Sequence, residues 1–203
     1  MIHSAIHKAR PDVNAAAHSH SIYGRAFCTL GRTLDTITQD SCSFYNVSAV
    51  SSAYQAPSRM QSIETIRSAC QKKEKQHIIN TKLKQDHVLY ESFNGIVFAE
   101  EEGRNIATCL GDKKAALLVN HGLLTVGQTI EEAVFWFVSL EKCCHAQLLA
   151  DAAAGGRGGE TVKIQDEDAK YTHKMVGSPL AGWFSAKPLF DVVHKETGGD
   201  YLN

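Results

Sequence analysis

The sequence predicts a layered α/β domain built on a mixed β-sheet, and three observations carry that reading. Short apolar runs of strand length alternate with amphipathic helical stretches, the pattern of a sheet covered by helices. One of these runs, AALLV at 115–119, is apolar at every position, as expected of a strand covered on both faces. The same run reverses through Asn120-His121-Gly122 into a second apolar run at 123–126, so at least one strand pair is antiparallel.

The elements follow in order. Residues 3–9 (HSAIHKA) read as a short helix stopped at Arg10-Pro11, because proline disfavours helical geometry in the residue before it. Residues 13–17 are small and apolar, a buried strand that runs into His18-Ser19-His20. Residues 22–30 have a helical pattern ending at Gly31, a C-cap signal, and 34–38 alternate as a strand does. Residues 95–99 (GIVFA) form another strand candidate, followed by an amphipathic helix over 100–110 closed by Gly111. Thr129-Ile130-Glu131-Glu132 is a capping box that opens a helix running to about residue 154. Its apolar face is expected to carry Ala133, Trp136, Phe137, Leu140, Cys144, Gln147 and Leu148. Glycines 155, 156, 158 and 159 end it, residues 156–180 read as a polar linker, and 181–203 form an aromatic-containing C-terminal tail.

With 203 residues, one domain is the default, and 43% hydrophobic with 21% charged residues describe an ordinary globular chain. A net charge of −1 gives no reason to invoke nucleic acid or an anionic membrane as partner. There is no membrane-spanning run, and residues 1–20 carry His, Lys, Arg and Asp where a secretory signal needs apolar residues. The six cysteines form no CxxC pair, and adjacent Cys143 and Cys144 suit reduced thiols in a helix. A cytoplasmic location is expected.

The chemistry sits in the histidines. In His18-x-His20 at a strand end, the two side chains share a face about 6.5–7 Å apart along the strand, close enough to converge on one ion. His121, in a glycine turn after another strand, supplies a third ligand candidate. Three protein ligands with an open position is the arrangement of a catalytic zinc site, although imidazole also suits other first-row divalent ions. Set against this is the plain reading of three turn or surface histidines with no shared task. The other histidines are scattered and are read as structural or solvated. No phosphate-cradling glycine loop, nucleophile elbow or paired catalytic carboxylates stand out.

Four blocks resemble the class II aldolase/adducin family in the family's order: HSAIHKARPDVNAAAHSHS (3–21), FNGIVFAEEEG (93–103), LLVNHGLLTVG (117–127) and TIEEAVFWFVSLEKCCHAQLLADAAAGG (129–156). The resemblance implies a three-layer α/β/α fold around a central mixed sheet over residues 1–155. It also implies that His18, His20 and His121 are the ligands of a divalent metal, zinc above all. In the aldolases the metal stabilises the enediolate formed when a small sugar phosphate or hydroxy-carbonyl compound undergoes aldol cleavage. The family's general acid/base carboxylate lies upstream of the HxH pair and is expected before Met1, as is a phosphate-binding segment. The domain is therefore expected to be N-terminally incomplete, with metal binding but little turnover, and no residue of this chain is assigned the acid/base role. The wording HSAI…ARPDV is similar to the fungal/adducin-like branch, whose heads keep these histidines without a known enzymatic role.

Two readings stay open: a metal-dependent carbon–carbon lyase acting on a small-molecule substrate, or a non-catalytic adducin-like module for oligomerisation or contact with the actin cytoskeleton. A homo-oligomer is expected for the full-length protein under either. The second calls for a basic C-terminal tail, and the last residues here are Tyr201-Leu202-Asn203, which favours the first. Residues 47–85 stand apart. They hold seven Lys/Arg against two acids in an otherwise acidic chain, and the family pattern passes smoothly from CSFYN (42–46) to DHVLYESFNG (86–95). Val47-Ser48 can be encoded by a splice donor and Gln85 by a codon ending in a splice acceptor. The segment is therefore expected to be a non-native insert from a retained intron, with a genuine surface insertion as the rival.

Overall fold

Four strands lie in one sheet in the order β1-β4-β3-β2, in a computed structural model that describes residues 2–45, 85–93 and 100–202. The strands are β1 (Ala15–Ser19), β2 (His87–Tyr90), β3 (Ala115–Leu118) and β4 (Gly122–Gly127). β4 pairs antiparallel with both β1 and β3, whereas β2 pairs parallel with β3. The mixed sheet is therefore as expected, and the 120–122 reversal is a tight hairpin. The chain divides into two compact units, residues 1–45 with 86–203 and residues 46–85. Residues 47–84 of the insert expected at 47–85, and the strand expected at 95–99, lie outside the described residues.

The alternation of side chains along β3 and β4 explains the layers. Ala116 and Leu118 of β3, with Leu124 and Val126 of β4, point to one face, where they meet Ile2, Ala5 and Ile6 of helix α1 (Ile2–Ala9) and Ile106, Ala107 and Leu110 of helix α3 (Glu100–Leu110). Ala115, Leu117 and Leu123 point to the other face, against Phe27 and Cys28 of α2 (Ile22–Cys28) and Trp136, Leu140, Cys143 and Cys144 of α4 (Ile130–Gly155). Both faces of the central pair are thus dry, giving the α/β/α sandwich. The five described cysteines are free thiols, and burial pushes the Cys143 thiol up to about 12.

Several elements differ from the sequence reading for identifiable reasons. Residues 34–38 do not form a strand. The Leu34 N–H donates to His87 Nε2 (3.0 Å) and the Asp35 N–H to Gln147 Oε1 (2.8 Å), so side chains take the bonds a neighbouring strand would have taken. At the start of α4, Thr129 Oγ1 accepts the Glu132 N–H as the capping box requires. Glu132, however, reaches one residue further back, to the Gln128 N–H (2.7 Å), and its second oxygen takes the Trp136 indole N–H (3.0 Å). Cys143 belongs to the buried face of α4, while Phe137 and Leu148 are only partly buried.

Within the 156–180 stretch read as a linker, Asp166–Val176 forms a helix, α5. The tail forms helix α6 (Pro179–Thr197), capped by Ser178 and ended at Gly198 in the left-handed region (φ 65°). It packs on α4 through small residues, Gly182 and Ala186, while Leu180, Trp183 and Phe184 stay largely exposed. A Cβ at Gly182 would come within 2.6 Å of the Trp136 ring, so the glycine is what lets the two helices approach. The contact with Trp136 is thus made by one of the smallest residues of the tail.

Candidate metal centre

His18 lies on β1 in register with Leu124, and His20 follows one residue beyond the end of that strand. His121 sits in the β3–β4 hairpin, where Asn120 takes a positive φ of 57° and the His121 N–H closes the turn onto the Leu118 carbonyl (3.0 Å). Because β1 pairs directly with β4, its end lies beside this turn. The next residue has to be glycine: a Cβ at Gly122 would sit 2.5 Å from the Ser19 carbonyl oxygen. The Asn-His-Gly sequence thus supplies a left-handed residue, a ligand candidate and a close backbone approach in succession.

The three histidines meet. Ring centroids are 5.4 Å apart for His18 and His20, 4.8 Å for His18 and His121, and 4.7 Å for His20 and His121. One ring nitrogen from each falls within 4.8 Å of the other two. Ligands of a tetrahedral ion with bonds near 2.1 Å lie about 3.4 Å apart, so small ring rotations suffice to close the set. Cys143 and Cys144 stay outside the cluster, in the core on the α4 side of the sheet.

The surroundings suit ligation. His18 Nδ1 is 2.8 Å from the Leu123 carbonyl, which only accepts, so Nδ1 carries the proton and Nε2 keeps its lone pair for a metal. Burial lowers the pKa of His18, opposed by that hydrogen bond and reinforced by the fields of His121 and His20. Burial also lowers His121, helped by His20 and opposed by Glu102. Both rings are therefore held neutral, the form that binds a metal. The donor set fits a divalent ion with an affinity for imidazole, and three protein ligands leave coordination positions for a small molecule.

Other residues around the cluster went unnoticed in the sequence. Glu102, on α3, accepts the Tyr90 hydroxyl (2.8 Å), and both side chains are buried. Tyr90 is the last residue of β2, in register with Leu118, so this pair borders the hairpin that carries His121. Burial and the neighbouring carboxylate push the Tyr90 phenol up to about 12. A buried acid in the first turn of a helix is a weak sequence signal, since acids are favoured there in any helix. The carboxylate of Glu141 on α4 likewise lies against the segment that follows His20.

The family profile for the Class II Aldolase and Adducin N-terminal domain matches residues 1–148, which include every residue of the cluster. The chain belongs to that family. Among its relatives, the decarboxylase NovR of Streptomyces niveus is 39% identical over 94% of this chain and 54% of its own length. Alpha-adducin of Rattus norvegicus is 26% identical over 96% of this chain and 21% of its own length. The structure of L-fuculose 1-phosphate aldolase from Glaciozyma antarctica PI12 superposes with a TM-score of 0.70 at 39% identity, covering 99% of this chain and 59% of that one. The chain therefore spans about half the length of NovR and a fifth of the adducin. Enzyme-like and adducin-like relatives both occur around the same domain. No described helix is long and apolar enough to cross a membrane.

Proposed function

We propose that His18, His20 and His121 hold one divalent metal ion, zinc by the chemistry of the donor set, and that the site serves aldol-type cleavage of a small sugar phosphate or hydroxy-carbonyl compound. The observation that carries this reading is the convergence of three imidazoles from two strand ends onto one point. When bound, the ion supplies a Lewis acid that draws negative charge onto a carbonyl oxygen as the adjacent carbon–carbon bond breaks. The residues of the chain do the rest. Leu123 fixes the tautomer and orientation of His18, the left-handed turn at Asn120 aims His121, and the three-ligand set leaves room for substrate. Glu102, hydrogen-bonded to Tyr90, adds a negative field at His121 that strengthens it as a donor.

The two relatives at 39% identity are named as a decarboxylase and an aldolase, and both names describe the breaking of a carbon–carbon bond. The second reading, a non-catalytic module for oligomerisation or actin contact, draws on the 26% identity to alpha-adducin across nearly the whole chain. The higher identity on the enzyme side favours the first. A cytoplasmic homo-oligomer is part of either reading.

The test is sequential. Purified protein is assayed for bound metal by mass spectrometry, then screened with a panel of sugar phosphates for aldehyde release. Stoichiometric zinc that is lost in H18A, H20A and H121A, together with weak but metal-dependent cleavage, is the expected result, since no residue here is assigned the acid/base role. Metal without turnover on any substrate favours the adducin-like reading, and no metal affinity at all overturns the site.

A further inference from the structure

The sheet ladder ends at Ser19, which pairs with Leu123, so His20 lies one residue outside it and is exposed. A ligand in that position is ordered only if the chain on its far side is also held. Glu141 holds it. Its Oε2 accepts the Ser21 hydroxyl (2.5 Å) and the Gly24 N–H (2.6 Å), and its Oε1 accepts the Tyr23 N–H (2.9 Å). One turn further along α4, on the same helix face, His145 stacks flat on the Tyr23 ring (3.5 Å between centroids, 6° between planes). Two side chains of the long helix thus grip the backbone and the ring of a single residue, Tyr23, three positions after His20. Gly24 makes the grip possible, since a Cβ there would overlap the Leu123 side chain and come 2.8 Å from Glu141 Oε2. Leu123 is also the residue whose carbonyl orients His18, so the two outer supports of the cluster meet at one place.

We propose that Glu141 is a positioning residue for the metal centre: by fixing residues 21–24 it sets where His20 presents its ring. The proposal rests on the reading that the three histidines bind a divalent ion. Its physical content is entropy. A ligand already ordered in the metal-free chain binds without a further ordering cost, whereas a loose one must be immobilised as the metal arrives. Charge-assisted bonds to a carboxylate are the stronger kind, and three of them on four consecutive residues leave that segment little freedom.

The test measures Zn2+ affinity by calorimetry against a competing chelator for wild type, H121A, E141A, E141Q and T129A. Loss of an outer-shell support of this kind weakens metal binding about 10–100-fold, and that is the expectation for E141A. E141Q keeps one acceptor oxygen and is expected to fall between E141A and wild type. T129A removes the N-cap of the same helix and is expected to lower the melting temperature while leaving zinc affinity unchanged. In the metal-free protein, 15N relaxation is expected to show His20 and Tyr23 more mobile in E141Q than in wild type, a readout that needs no metal. Zinc binding that is absent from wild type, or equal in wild type and H121A, overturns the metal reading itself. A normal difference between those two with E141A and E141Q at wild-type affinity, or with His20 equally ordered in E141Q, overturns the positioning role alone. Should E141A fail to fold, E141Q decides the matter.

Discussion

His87 gives the protein a built-in sensitivity to acid that can be measured without knowing its substrate. The ring is 3% exposed and lies under the sheet edge, with Nε2 accepting the Leu34 N–H and the Phe44 ring 6.3 Å away. Desolvation lowers its pKa to about 4, with Lys113 and Lys114 adding to the effect, against the Phe44 carbonyl and Asp35. Above pH 6.5 the ring is neutral in both folded and unfolded chains and contributes no pH dependence. As pH falls below 6.5 the unfolded chain takes up a proton that the folded chain refuses, so stability declines until the folded ring titrates near 4. The full penalty is about 3 kcal/mol, of which about 2 kcal/mol is present by pH 5. His87→Gln keeps an acceptor for the Leu34 N–H and removes the titration. Urea unfolding of both proteins with a chelator present, from pH 7.5 to 5, is expected to show wild type losing about 2 kcal/mol more than the variant. Parallel stability curves would refute the argument, because they would mean that His87 is protonated in the fold or not held there.

Three further outcomes are expected. Gly182→Ala gains about 1 kcal/mol of helix propensity but drives a methyl into the Trp136 ring, an overpacking cost of about 1–3 kcal/mol, so the net effect is destabilising. The melting temperature should fall and α6 should become the first site of limited proteolysis; unchanged values would mean the helices do not meet there. Glu102→Gln removes a charge that raises the His121 pKa, so histidine NMR of the metal-free protein should show His121 titrating at lower pH, and an unchanged or higher value would contradict the placement. Zinc at a hundredfold excess over its Kd should stabilise wild type by about 2.7 kcal/mol and His121→Ala not at all, as read by thermal unfolding.

How much of this was legible in the sequence varied with the range of the interaction involved. The central strands were plain because burial on both faces forces AALLV and LLTV to be apolar whatever their neighbours. The histidine cluster was legible for a similar reason: a period of two in HSH and a glycine turn at NHG are local signatures, and only their meeting required the register of β1 on β4. Residues 34–38 misled because alternation describes an extended chain, and nothing local tells whether a strand or the side chains of His87 and Gln147 will answer its N–H groups. The supports of the site, Glu141, Glu102 and the Leu123 carbonyl, were invisible for the same reason. They act across separations such as 105 residues between His18 and Leu123 or 117 between Gly24 and Glu141, and no pattern in sequence marks a carboxylate as the one that will be aimed back at a strand end.

The boundaries of the 47–85 segment raise a last prediction. The Asp86 N–H donates to the Phe44 carbonyl at 2.6 Å, so the domain holds the two flanks of the segment one hydrogen bond apart. Flanks held this close can be joined by a short turn, so a junction from Asn46 straight to Asp86 is expected to leave β2 and the 3-10 turn Asp40–Phe44 in place. Closing a loop of roughly forty residues costs about 2–3 kcal/mol more than closing a loop of two, so a variant lacking 47–85 should be more stable by up to that amount if the segment makes no compensating contacts. It should also bind zinc as tightly as the full chain, because the histidines lie at the end of β1 and on the β3–β4 hairpin and their supports on β2 and on α2 to α4, all outside the segment. Unfolding or lost metal affinity in that variant would show the segment to be a working part of the domain. The origin of the segment is decided separately, by transcript sequencing and peptide mapping. A spliced message joining Asn46 to Asp86 establishes a retained intron, while abundant tryptic peptides from within 60–82 would show that the segment is translated in the cell and would leave a true insertion as its explanation.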